Sequence, residues 1–392
     1  MGRLLAKYRD WLLGAGLFCA ALALMAYPQE SMEAARDGLS LCANVIVPSL
    51  FPFFALAALV VELGLSRYLG KLLEGVMAPL FRVNGACASA LALGFVGGYP
   101  VGARTAIALY EKGQCSKTEA ERLLAFCNNS GPAFIFGVVG AGVFASGKIG
   151  LLLYLIHLLA SLCVGVLFRF YKPSQGPGRG RTARVQFEAV SFPAAFARSV
   201  TGSLTSCLNI CAFVLLFTVV LRLLALSGAL DLLAGGLCAL LAPLGLTDVW
   251  ARKLLTGFLE ISSGVSSLTG EGTLSGRLSM AAFILGWAGL SVHCQVLSFL
   301  EHSGLSMKTY FVGKLLHGGI SAVLAAGLAR CLPLEQPVSA YLAEQVDWFA
   351  ELEFSRALFV SAGAAWGLWL IFVGLSVAAL KKSSRKMDQR RV

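Results

Sequence analysis

Four short polar interruptions in an otherwise apolar chain hold most of the side chains able to do chemistry. The first, Gly94-Phe95-Val96-Gly97-Gly98-Tyr99-Pro100, is a glycine-rich turn with Arg104 one helical turn beyond it. Gly97, Gly98, Tyr99 and Pro100 make a tight tip where a ligand can approach bare backbone, and Arg104 can pair with a substrate carboxylate. The same glycines also suit small-xxx-small helix packing, and Arg104 can equally sit at the membrane interface or pair with Glu260. The second interruption is Cys127-Asn128-Asn129-Ser130-Gly131-Pro132. Asn128, Asn129 and Ser130 are neutral donors and acceptors, and Pro132 suits the first turn of a restarted helix; a plain proline kink is the bland alternative.

The third interruption, Gly257-Phe258-Leu259-Glu260-Ile261-Ser262-Ser263-Gly264, carries Glu260 among hydroxyls. An ionisable group at membrane depth is by default a functional hypothesis. Glu260 can carry a coupling proton, help bind a cation or neutralise Arg104; Ser262 and Ser263 can meet a substrate, while Ser266 and Ser267 read equally well as solvated loop hydroxyls. The fourth, Gly286-Trp287-Ala288-Gly289-Leu290-Ser291-Val292-His293, is followed by Gln295. His293 can relay protons, donate to an anion or simply hydrogen-bond between helices. His157, His317 and Lys314 read as packing or snorkelling residues.

Other chemistry is poorly supported. No nucleophile and base stand at a credible spacing, so no catalytic residue and no enzyme activity are expected. Gly140-Ala141-Gly142-Val143-Phe144-Ala145 mimics a dinucleotide fingerprint but lacks the preceding strand and βαβ setting. There is no P-loop, and the 4 His lack matched ligand spacing. Neither a cofactor nor a metal is expected.

The elements that position these residues must lie in a membrane. Of 392 residues, 57% are hydrophobic and 14% charged, with a mean hydropathy of +0.76, whereas soluble domains run about 45–50% apolar and about 25% charged. The 43 Gly and 12 Pro follow no collagen-like period. The net charge of +11 lies in short loops and the C-terminus, which is an orientation signal and not a nucleic-acid footprint. The 11 Cys lie mostly in apolar runs without a C-x-x-C pair and read as reduced, buried small hydrophobes.

A crossing helix needs about 20 predominantly apolar residues, which places spans near 11–27, 39–61, 149–171, 207–226, 309–330 and 355–380. The stretches 119–145 and 279–300 are broken helices, and 85–110 and 250–268, with halves too short to cross, are re-entrant hairpins. Sliding the chain by about 164 residues superposes Gly38 on Gly202, Asn44 near Asn209, Ala78-Pro79-Leu80 on Ala242-Pro243-Leu244 and Gly94-Phe95 on Gly257-Phe258. Amphipathic segments at 65–82 and 229–246 also correspond. Each copy makes an odd number of crossings, so the two repeats are inverted.

The expected fold is an all-α polytopic membrane protein of about eight crossings with both termini inside. A transmembrane anchor covers 1–30, uncleaved although a signal peptide is the alternative, and a first repeat covers 31–171. A basic cytoplasmic linker (172–190, with Arg179, Arg181 and Arg184) precedes the second, inverted repeat (191–331). An acidic external segment (332–354), a C-terminal span (355–380) and a basic tail (381–392) complete the chain. Positive-inside bias agrees with each placement. Irregular backbone at membrane depth is tolerated where it faces protein or a water-filled cavity. Paired broken helices in inverted repeats therefore point to a transport site near the midplane, where half-helix N-termini favour anions.

The chain resembles the nucleoside-recognition Gate domain proteins, and within them the YlbJ-like sporulation integral membrane proteins. The resemblance runs over roughly 35–335 and rests on Val47-Pro48-Ser49-Leu50-Phe51-Pro52-Phe53, Gly94 to Ala103, Cys127 to Pro132 and Gly257-Phe258-Leu259-Glu260. It implies a secondary transporter related to concentrative nucleoside carriers, and more narrowly one moving dipicolinic acid from mother cell to forespore across the outer forespore membrane. The substrate expected from it is a small organic anion. A coupling ion, proton or sodium, and a homo-oligomer are both compatible with it, and the lipid bilayer is the standing partner. A nucleoside or nucleobase permease and a non-transporting scaffold for spore assembly are the alternative readings.

Overall fold

The computed structural model describes residues 2–63, 75–172, 191–270, 272–301 and 303–331, which all fall in one compact unit. The linker beyond Lys172, residues 65–74 of the first amphipathic segment, and the expected segments 332–354, 355–380 and 381–392 lie outside the described residues.

Every regular element among the described residues is helical. Helix α1 (Gly2–Ala26) is followed by α2 (Pro28–Leu41), a π-helical turn at Cys42–Ile46 and α3 (Val47–Glu62), so the stretch expected as one span at 39–61 is helical with a π turn in it. A short helix α4 (Gly75–Phe81) leads, after a bend of 99°, into the next helical stretch. There α5 (Ala88–Gly97) and α6 (Val101–Glu111) form the first hairpin. Next come α7 (Lys117–Leu124), a π-helical segment over Ala133–Val143 and the unbroken α8 (Gly147–Phe168). The order then recurs: a long helix α9 (Phe192–Leu226), α10 (Ala229–Leu241), a hairpin of α11 (Asp248–Leu259) and α12 (Ile261–Ser266), an interrupted helix of α13 (Leu274–Trp287) and α14 (Gly289–Leu300), and the unbroken α15 (Met307–Cys331).

Four helices are long and apolar enough to cross a bilayer among the described residues: α8, α9, the combined stretch Leu274–Leu300 and α15. They place the interrupted elements within a membrane-sized framework. The interruptions fall at the expected strings, because glycine, proline and paired polar residues locally remove helical hydrogen bonds while the flanking apolar runs keep the helix alive.

Two close approaches hold the first hairpin against the first break. Gly94 on α5 and Gly102 on α6 both abut the Cys127 carbonyl, where any Cβ would overlap it. At the tip, Gly98 has φ +72° and its absent Cβ leaves room for the Gly131 backbone. The second half repeats the contact: Gly289, at φ +79°, lies against the backbone of Glu260 and Ile261. In both halves, then, a hairpin break touches a broken helix through bare backbone.

Charge at one end of the fold is structural. Ser116 and Glu119 form a capping box that starts α7, and Glu119 also accepts from the Asn84 backbone N–H at 2.8 Å. Arg122 is 1% exposed and donates to the carbonyls of Arg82, Tyr171 and Lys172 at 2.7–3.0 Å. It thus ties the end of α4 to the end of α8, satisfying carbonyls that a helix terminus leaves without partners.

Candidate functional site

The four breaks meet at one cleft of about 50 Å³. Gly97, Gly98 and Tyr99 come from the first hairpin tip, Ser130, Gly131 and Phe134 from the first broken helix, Glu260, Ile261 and Ser262 from the second hairpin, and Ser291, Val292 and Gln295 from the second broken helix. Apolar side chains close the remaining side: Ile46, Leu50 and Phe54 on and beside α3, and Ile210 and Val214 on α9. A single water needs ~10–15 Å³, so the cleft has room for a few waters in this conformation.

The segment Ala133–Val143, α12 and α14 present first-turn residues to the cleft, Phe134, Ile261, Ser262, Ser291 and Val292, whereas the first hairpin presents its tip ahead of α6. Helices α6 and α14 and the segment Ala133–Val143 begin without any side-chain cap; the Val101 N–H donates to the Gly98 carbonyl and the Phe134 and Ile135 N–H groups to the Gly131 carbonyl, so what these starts offer is chiefly their positive dipole ends. The fourth start is different. Glu260 is 0% exposed, and its two carboxylate oxygens accept from the Ser262 and Ser263 backbone N–H groups at 2.9 and 2.6 Å. The carboxylate is therefore the cap of α12. Ser130 contributes a buried hydroxyl, 1% exposed, whose oxygen has no partner.

Of the residues expected from the sequence, Gly97, Gly98, Tyr99, Ser130, Glu260, Ser262 and Gln295 line the cleft. The others do not. Pro100 stands at the N-terminal boundary of α6 without a capping bond, and the Ser263 backbone N–H is engaged as a donor to Glu260. Arg104 corrects the expectation of a carboxylate clamp: α6 buries Gly102, Ala103, Ala106 and Ile107, which turns Arg104 to the opposite, exposed face. There its guanidinium stands 5.8 Å from the Phe299 ring centroid, and no ion pair joins it to Glu260 among the described residues. Asn128 and Asn129 are fully buried one layer behind the cleft. Asn128 Nδ2 donates to Tyr310 Oη at 3.3 Å and Asn129 Nδ2 to the Phe126 carbonyl at 2.9 Å, while both Oδ1 atoms lack a partner.

His293 also lies behind the cleft, 0% exposed and packed edge-on to Trp287 with centroids 4.3 Å apart. Its Nδ1 is 3.0 Å from Tyr310 Oη. The Tyr310 hydroxyl thus joins Asn128 Nδ2 and His293 Nδ1.

The sequence reading missed a buried network on α15. Lys314 does not snorkel: it is 0% exposed and donates to Tyr99 Oη at 3.0 Å and to the Asn128 carbonyl at 2.9 Å. Tyr99 Oη in turn donates to the Leu285 carbonyl at 2.6 Å. His317 Nε2 donates to the His157 carbonyl at 3.0 Å, and His157 Nε2 accepts from the Ser130 N–H at 2.9 Å. The available signal was a Lys and a His three residues apart within a 25-residue helix that crosses by composition. Ionisable groups in such a position are functional hypotheses by default, and their spacing puts both on one helix face.

Comparison with known proteins places this arrangement. Residues 43–148 match the Gate family, described as nucleoside recognition. The chain is 35% identical over 337 residues to the sporulation integral membrane protein YlbJ of Bacillus subtilis (strain 168), covering 81% of this chain and 82% of that protein. Among solved structures, CNTnw in an inward-facing substrate-bound state matches with a TM-score of 0.53 at 14% identity, over 83% of this chain and 86% of that chain. A variant of CNTnw in an outward-facing state gives 0.54 at 15% identity, over 85% and 87%. At such identity the likeness to CNTnw establishes the fold.

Proposed function

Because the chain belongs to the family of the YlbJ sporulation integral membrane protein, we propose that it is a secondary transporter of a small organic anion, dipicolinate, working by alternating access around its two hairpins. The observation that carries this reading is the convergence on one cleft of two helix starts without side-chain caps, Ala133–Val143 and α14, and the unpartnered Ser130 hydroxyl. Backbone N–H groups at helix starts suit carboxylates, and a planar dianion matches donors approaching from several sides. Tyr99, with its hydroxyl tied back to Leu285, presents its ring at the cleft as a stacking surface. Gly97, Gly98, Ser262 and Gln295 complete the proposed contacts.

The cleft of about 50 Å³ is well below the ~300 Å³ at which ligand pockets begin. Substrate entry therefore requires the apolar wall of α3 and α9 to part from the four breaks, the movement that alternating access supplies. The proposed setting is the outer forespore membrane, and the proposed repeats are inverted so that the same hairpin contact opens first to one side and then to the other.

A nucleoside or nucleobase permease is the second reading. It is favoured by the Glu260, Ser262 and Ser291 oxygens at the cleft, which suit ribose hydroxyls. Uptake of labelled dipicolinate and labelled uridine into cells expressing the chain separates the two. Saturable dipicolinate uptake is expected. Uridine uptake alone overturns the anion assignment in favour of the permease, and uptake of neither refutes transport of both and favours a scaffold.

A further inference from the structure

Lys314 is a fully buried cation that no carboxylate pairs with among the described residues. Its three ammonium protons face three neutral acceptors: Tyr99 Oη at 3.0 Å, the Asn128 carbonyl at 2.9 Å and His317 Nδ1 at 3.4 Å. The His317 ring is oriented for this role, since its Nε2 proton is given to the His157 carbonyl and its Nδ1 lone pair is left for Lys314.

Both protonation states of Lys314 can be completely hydrogen-bonded here, and they differ in what they ask of Tyr99. As an ammonium, Lys314 donates to Tyr99 Oη, which leaves the phenol proton for the Leu285 carbonyl 2.6 Å away. As a neutral amine, Lys314 keeps two protons for Asn128 and His317 and turns a lone pair toward Tyr99. The phenol proton then rotates to Lys314 Nζ, and the bond to Leu285 is lost. The departing proton passes to solvent base, because His317 must stay neutral for its Nδ1 to accept from the amine.

We propose that Lys314 is a proton-binding site whose occupancy decides whether Tyr99 ties the tip of the first hairpin to Leu285, beside the second break. Tyr99 lines the cleft and Leu285 precedes the α13–α14 interruption, so the tie joins the two sets of broken elements. The proton so bound is a candidate for the ion that drives the carrier. The tie itself is independent of which substrate the cleft takes. The other titratable groups facing the site are His317 on α15, His157 on α8 with its ring 4.3 Å from that of His317, Cys127 in the first break, and the Tyr310–His293 pair.

Hydrogen–deuterium exchange on the full chain in detergent micelles, from pH 6 to pH 10 and corrected for intrinsic exchange, tests this without any substrate. Peptides spanning 95–101 and 283–290 are expected to lose protection together as pH rises, by about fivefold, the worth of one net hydrogen bond. Lys314→Met and Tyr99→Phe are each expected to abolish that pH dependence. Wild-type protection that does not change with pH, or a pH response retained in either variant, overturns the proposal; should Lys314→Met fail to fold, Tyr99→Phe decides alone. In uptake assays, transport by the wild type that persists with no pH dependence overturns the coupling role while leaving the anion reading intact.

Discussion

Replacing Glu260 separates a capping role from a proton-carrying one. The carboxylate is 0% exposed and accepts two backbone N–H groups, from Ser262 at 2.9 Å and Ser263 at 2.6 Å. Glu260→Gln keeps one acceptor oxygen and turns an amide N–H₂ toward the second donor, so one buried N–H loses its partner. An unsatisfied buried donor costs about 1–3 kcal/mol. Glu260→Ala strands both donors, for about 2–6 kcal/mol by the same reasoning. The order of stability is therefore wild type, then Gln, then Ala, measured by denaturation of the purified protein in micelles at neutral pH. A group that carries a proton through the cycle behaves differently, because Gln mimics its protonated form and fits the site it occupies. If Glu260→Gln matches the wild type to within about 0.5 kcal/mol while Glu260→Ala is also unchanged, the capping argument fails.

The other expectations follow from the same geometry. Gly98→Ala forces a Cβ onto a residue at φ +72° whose nearest neighbour, Gly131 N, would lie 2.8 Å away; left-handed backbone alone costs about 1–2 kcal/mol, so uptake should fall at least about fivefold, and wild-type uptake would refute the contact between tip and break. Arg104→Ala, on the exposed face of α6, should leave substrate affinity within about twofold of wild type, a result read from the concentration dependence of uptake; a loss beyond tenfold would restore it to the site. Arg122→Ala leaves the Arg82, Tyr171 and Lys172 carbonyls without their donor and should lower stability by about 1–3 kcal/mol, visible as an earlier thermal transition, with no shift refuting its capping role.

What the sequence determined by itself was local. Glycine, proline and paired polar residues interrupt a helix wherever they stand, so the strings at Gly97–Pro100, Asn128–Pro132, Glu260 and Ala288–Gly289 mark the breaks before any folding is considered. Burial in a membrane was equally legible, since apolar composition needs no partner to be recognised. The family resemblance carried the transporter-like fold for the same reason: its motifs are those break strings.

Only the tertiary structure decided which side chains the cleft receives. An amphipathic helix advertises its buried face, but a helix apolar on all sides carries no phase signal, and each step along it turns a side chain by about 100°. That ambiguity hid Lys314 and His317, which α15 turns inward to meet Tyr99 and Asn128; the outer placement of Arg104 and the burial of His293 and Asn128 behind the cleft follow from how the separate elements pack. The roles of Glu260 and Lys314 depend on which backbone groups of other elements arrive beside them. A cap and an unpaired ammonium are properties of assembled helices, and no residue pattern along one helix contains them.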